Sequence, residues 1–129
     1  MHKIMIIDDD PEMVQNVTAI LESDDLSIDS HDTVGGAIGA LKEFKPDLLI
    51  LDVMFPENPA GGFDIARRIR QTPEIQGLPI ILLTSINQSF PMDFSGEDID
   101  EEWMPVQRML EKPVKLAEIK KAVEDLLER

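Results

Sequence analysis

A chain of 129 residues with no cysteine, 26 acidic and 12 basic side chains and a formal net charge of −14 has the size of one domain. Disulfide frameworks, cysteine-type zinc sites and thiol catalysis are excluded. The charge repels phosphate backbones and anionic lipid, so direct binding to nucleic acid or membrane is not expected, and a multivalent cation is the more natural guest. At 43% hydrophobic residues the chain is not of disordered composition. No apolar run approaches the roughly 20 residues of a membrane span, and the N-terminus lacks a signal-peptide core, which points to the cytoplasm.

In chain order, Lys3–Ile7 is a short apolar run with β-branched residues and predicts a strand. Pro11–Ser23 follows with Met13, Val14, Val17, Ile20 and Leu21 at helical spacing, and Pro11 suits a first turn. Leu26–Ser30 predicts a second strand, and Thr33–Phe44 a helix with Thr33 as its N-cap. Asp47–Leu51 is a strand apolar on both faces, Gly62–Gln71 a helix, Pro79–Leu83 another continuous apolar strand and Gln107–Leu110 a weak fifth. Lys115–Glu128 closes the chain as an amphipathic helix. Between the fourth and fifth strands Pro91, Gly96, Pro105 and the acidic stretch Asp93–Glu102 predict a long, mostly irregular connection in place of a regular helix.

Apolar strands alternating with amphipathic helices make an α/β domain, residues 1–129, with a doubly wound parallel sheet. The expected order is 2-1-3-4-5, flavodoxin-like, with ligands beyond the carboxyl ends of the first and third strands. The strand ends carry Asp8-Asp9-Asp10, Asp52, Thr84-Ser85 and Lys112-Pro113. Carboxylates are hard oxygen ligands, and Mg²⁺ needs one or two of them plus water. A carboxylate beside such an ion can act as a nucleophile on phosphorus, with Lys112 and Thr84 contacting the phosphoryl oxygens. Each residue alone has a plainer reading. Asp8, Asp9 or Asp10 could cap the following helix, Asp52 could be a turn residue, Thr84 a structural hydroxyl and Lys112 a surface charge. Their joint position at one edge of the sheet favours the chemistry.

Met5–Asp10 (MIIDDD), Leu48–Pro56 (LLILDVMFP), Ile80–Ser85 (IILLTS) and Leu110–Val114 (LEKPV) occur in this order along the chain. Through them the sequence resembles, over essentially its whole length, the response-regulator receiver domains of two-component signalling, of the chemotaxis-regulator kind. The resemblance implies that Asp52 accepts phosphate from a histidine kinase or phosphotransfer protein. It also implies that Asp8, Asp9 and Asp52 bind Mg²⁺, with Asp9 a direct ligand and Asp8 acting mainly through water, while the Met54 backbone carbonyl completes the site. Thr84 and Lys112 take the family's hydroxyl and lysine positions, and Lys112-Pro113 matches a Lys-Pro step that is often cis. Output would be by protein–protein contact with an unnamed partner, without enzymatic turnover beyond self-phosphorylation and self-dephosphorylation.

The sequence departs from the family pattern at three places. Met109 replaces the usual aromatic residue before the lysine, Phe55–Phe63 is about two residues longer than usual, and the segment from Thr84 to Lys112 is long and lacks the Gly-Ala step. Met54 and Ile86 stand where polar residues can orient the hydrolytic water, and both are apolar, so slow loss of phosphate is expected. Two alternatives remain at this point. One is a haloacid-dehalogenase-type phosphohydrolase, for which Asp8 and Asp10 imitate the Asp-x-Asp motif but Pro11 is the wrong neighbour. The other is an unphosphorylated receiver-like scaffold. Trp103 is expected to anchor the long connection, His2 and His31 lack metal spacing, and the Gly pairs at 35–36 and 61–62 mark turns or helix entries. With one helix after Lys112, an output domain is not expected, and the chain is either a stand-alone receiver or one excised from a longer protein.

Overall fold

The computed structural model describes residues 2–22, 26–33, 35–53, 61–84, 108–111 and 115–127. The elements in chain order are β1 (His2–Ile7), α1 (Pro11–Leu21), β2 (Leu26–His31), α2 (Ala37–Phe44), β3 (Leu48–Asp52), α3 (Gly61–Arg70), β4 (Ile80–Thr84), β5 (Arg108–Glu111) and α4 (Leu116–Leu127). The strands form one sheet in the order β2-β1-β3-β4-β5, and every adjacent pair is parallel. Parallel neighbours require crossovers, and α1, α2 and α3 lie in those from β1 to β2, β2 to β3 and β3 to β4. The long connection predicted between β4 and β5, with Trp103 and Ile86 in it, lies outside the described residues.

Side-chain alternation splits the core into two layers. Met5 and Ile7 of β1, Leu49 and Leu51 of β3, and Ile80 and Leu82 of β4 pack with Ala37 and Leu41 of α2 and Phe63, Ile65, Ala66 and Ile69 of α3. The intervening residues, Ile4, Ile6, Leu48, Ile50, Ile81 and Leu83, pack with Val17 and Leu21 of α1 and Ile119, Ala122 and Val123 of α4. This is the period-2 arithmetic of a strand buried on both faces. Burying each such Leu or Ile contributes roughly 1.5–3 kcal/mol before entropy is counted.

The boundaries differ from the sequence reading where tertiary hydrogen bonds intervene. Asp47 precedes β3: its amide donates to the Lys3 carbonyl at 2.7 Å, and its Oδ2 accepts the Lys3 amide at 2.8 Å. The chain is thereby tied to β1 just before the two strands pair. Thr33 is not the cap of α2. Its hydroxyl donates to the Gly35 carbonyl at 2.9 Å and lies 3.2 Å from His31 Nε2. The helix starts at Ala37, behind Gly36 at φ 79°, where no side-chain cap is made. That left-handed conformation carries no Cβ penalty in glycine. The other end of α2 closes on Lys45 at φ 54°, its amide bonded to the Leu41 carbonyl, and Pro46 then prevents continuation.

Candidate functional site

The three aspartates after β1 divide the work between them. Asp10 is the N-cap of α1, and its Oδ1 accepts the amides of Glu12 at 3.0 Å and Met13 at 3.4 Å. Pro11 fills the first helical position, where an N–H would have no intrahelical partner. Asp8 is 1% exposed, and its Oδ1 accepts the Asp10 amide at 3.0 Å, so the turn into α1 orients this carboxylate. The Asp8 amide in turn donates to the His31 carbonyl at 3.1 Å, which fixes the end of β1 against the end of β2. Asp9 is left half-exposed beside it.

Asp52 is the last residue of β3, one position earlier in the fold than a residue following the strand, and it is 5% exposed. The alternation that puts Ile4 and Ile6 of β1 and Leu48 and Ile50 of β3 against α1 and α4 reaches Asp8 and Asp52 at its next step. The two apolar stripes thus end in carboxylates at the same edge. Asp8, Asp9 and Asp52 bring one carboxylate oxygen each to within 4.8 Å of one another, and among the described residues this is the one group of three acidic or histidine side chains so arranged. Like charges this close repel one another, and a divalent cation relieves the repulsion. Three hard oxygen donors, two of them buried, match the chemistry Mg²⁺ accepts.

The main chain beside Asp52 is held from two directions. The Val53 amide donates to the Leu83 carbonyl at 3.0 Å, and the Val53 carbonyl accepts the Gly62 amide at 2.8 Å. An open cleft of about 580 Å³ reaches Asp8 and Asp9 from the β2 side, walled by Pro11, Val14 and Gln15 of α1 and by Ser30, His31 and Asp32. His31 is the last residue of β2, with Nε2 2.9 Å from the Gly35 carbonyl, and is not among the clustered ligands. Of the remaining expected site residues, Met54 and Lys112 lie outside the described residues, as do the side chains of Thr84 and Met109. The backbone of Thr84 is the last position of β4 and pairs with Glu111 of β5, the residue before Lys112. The sequence places Gly62 at a helix entry, as α3 bears out, but gives it no part in the site; the contact of its position with the Asp52 main chain is seen only in the fold.

Comparison with known proteins agrees with this arrangement. The chain is 25% identical to Protein PilH of Pseudomonas aeruginosa over 111 residues, covering 79% of this chain and 90% of PilH. It is 37% identical over 83 residues to the phosphate regulon transcriptional regulatory protein PhoB of Rhizobium meliloti, covering 64% of this chain and 36% of PhoB. The chain therefore spans most of one relative and about a third of the other. Among solved structures, a putative response regulator from Chloroflexus aurantiacus superposes with a TM-score of 0.79 at 26% identity, covering 99% of this chain and 98% of that one. A two-component response regulator from Clostridium difficile gives 0.79 at 25% identity, with 100% and 98% coverage. None of the described helices is long and apolar enough to cross a membrane. The family described as the response regulator receiver domain matches residues 4–124, and with that match nearly spanning the sequence the chain belongs to the receiver domains that serve phosphorelay signalling.

Proposed function

We propose that Asp52 is the phosphoacceptor of this receiver domain. Asp8, Asp9, Asp52 itself and the Met54 carbonyl hold Mg²⁺, and Thr84 and Lys112 contact the phosphoryl oxygens. The observation that carries this reading is the convergence of Asp8, Asp9 and Asp52 at the carboxyl ends of β1 and β3. An Asp52 carboxylate oxygen attacks phosphorus, a new O–P bond forms and the bond to the donor nitrogen or oxygen breaks, with the electron pair leaving on the donor. When bound, the ion supplies charge stabilisation to the phosphoryl oxygens. Burial of Asp52 limits the water around the nucleophile, and the Val53 hydrogen bonds hold its main chain still. In this reading β5 is the strand that delivers Lys112, which completes the 2-1-3-4-5 arrangement around the site.

The donor is a histidine kinase or phosphotransfer protein, and the domain, residues 1–129, acts in the cytoplasm. Output runs through protein contact. A net charge of −14 supports this over direct contact with DNA phosphates, even though PhoB is named as a transcriptional regulator. The phosphohydrolase alternative finds no support in the family match.

The test is incubation of the protein with a small acyl phosphate, with and without Mg²⁺. The expected result is stoichiometric, acid-stable but base-labile incorporation that chelation prevents and Asp52→Asn reduces to background. Continued release of inorganic phosphate over many turnovers at an enzymatic rate would point back to a phosphohydrolase.

A further inference from the structure

Gly62 occupies the second position of α3, where alanine is the better helix former. Its surroundings explain why no side chain fits. A Cβ built there would overlap the Asp52 carbonyl oxygen and come within 2.5 Å of Val53 Cα and 2.9 Å of the Asp52 carbonyl carbon. Those three atoms belong to the main chain of the phosphoacceptor and its neighbour, so no rotamer change can relieve the overlap. The Gly62 amide also donates to the Val53 carbonyl at 2.8 Å. On the other side the Val53 amide donates to Leu83 of β4 at 3.0 Å, so this main chain is clamped between α3 and β4. The far end of α3 is anchored as well, through Arg70 Nη1 bonds to the carbonyls of Gln76 at 2.8 Å and Leu78 at 2.7 Å. The helix is therefore held at both ends and cannot slide away from an added methyl group without breaking one of these anchors. Gly39 in α2 is the natural contrast. It is also a helical glycine, and a Cβ there would meet nothing within 4 Å.

We propose that Gly62 is a positioning residue for phosphotransfer: its lack of a side chain and its amide hydrogen bond set where the Asp52 carboxylate stands relative to Asp8 and Asp9. The inference rests on the reading of Asp52 as the acceptor. A displacement of the nucleophile by about 1 Å is enough to slow a positioned reaction by about 10²-fold. Gly62→Ala should therefore fold and retain cooperative unfolding, yet take up phosphate from an acyl phosphate in Mg²⁺ at least about tenfold more slowly than wild type. Two controls separate position from stability. Gly39→Ala should react at the wild-type rate. A core variant on the α2 and α3 side, adjusted by temperature to the same stability margin, should also react at that rate while folded.

Should Gly62→Ala fail to fold, replacement of Gly62 by glycolic acid decides the matter, because the ester keeps the size of glycine and removes only the donor to Val53. A comparable slowing in the folded ester variant supports the proposal. A wild-type rate in folded Gly62→Ala, or in the ester variant when the alanine variant is unfolded, overturns it. Phosphate mapped away from Asp52 in the wild-type protein would instead overturn the acceptor assignment, a result distinct from either.

Discussion

The two faces of the sheet are built by the same rule and end differently. On the α2 and α3 side, the stripe Met5, Ile7, Leu49, Leu51 continues into Val53 and Phe63 and stays apolar up to the edge. On the α1 and α4 side, the stripe Ile4, Ile6, Leu48, Ile50 gives way to Asp8 and Asp52. One face is a packing surface throughout, and the other stops one residue short of being one. The chemistry thus needs no separate scaffold: the alternation that buries the strands also delivers two carboxylates to one place, and the turn into α1 adds Asp9.

This contrast predicts opposite consequences for substitutions on the two sides. Leu49→Ala removes a fully buried side chain from the apolar face and should cost about 2–5 kcal/mol in denaturant unfolding. The folded fraction should nevertheless be phosphorylated normally. A loss below 1 kcal/mol would mean that this face is less tightly packed than its burial indicates.

Asp8→Asn lies at the end of the other face and should do the reverse. Removing one of three clustered charges should raise stability without divalent ions by about 1–3 kcal/mol, while the asparagine oxygen can still accept the Asp10 amide. The same variant should lose most of the Mg²⁺-dependent rise in Tm that ion binding to the native state gives the wild type. A variant that is destabilised, or that keeps the full Mg²⁺ response, would contradict the clustering argument.

The smallest effect is expected at the rim of the apolar face. Lys42 of α2 reaches Glu74 at 3.0 Å with both side chains about half exposed, and its hydrogen bond and charge hold the Glu74 carboxyl below the usual carboxylate range. A depressed carboxylate pKa stabilises the fold above its unfolded value, and that contribution is lost as pH falls through the folded one. Solvent screens this pair, so Lys42→Ala should lower Tm at neutral pH by only a small amount, and wild type and variant should converge as pH falls through the folded Glu74 value. A clear drop in Tm at neutral pH would show that the pair ties α2 to the loop before β4 more firmly than exposed ion pairs usually do.

Much of this was legible in the sequence because it depends on local periodicity. Runs such as Leu48–Leu51 and Ile80–Leu83 could be strands buried on both faces, and the spacing of Ile119, Val123 and Leu126 could only suit a helix packed on one side. Asp8, Asp9 and Asp52 stood out because they follow or close such runs. Features set by tertiary contact were not legible. Thr33 has the chemistry of an N-cap, but its hydroxyl is taken by the loop that His31 and Gly35 close, so α2 begins later. Which of three consecutive aspartates caps α1 depends on the turn geometry, and Asp10 takes that role. The constraint at Gly62 comes from main chain nine or ten positions away in sequence, which no local pattern records.

The central claim is tested most directly by chemical mapping of the modified residue. After incubation with an acyl phosphate and Mg²⁺, borohydride reduction converts an aspartyl phosphate to homoserine, and peptide mass spectrometry reads the position. The account predicts homoserine at position 52 alone, appearing with Mg²⁺ and absent with chelator. Conversion at position 8 or 9, or no conversion at 52 while phosphate is incorporated, would contradict it.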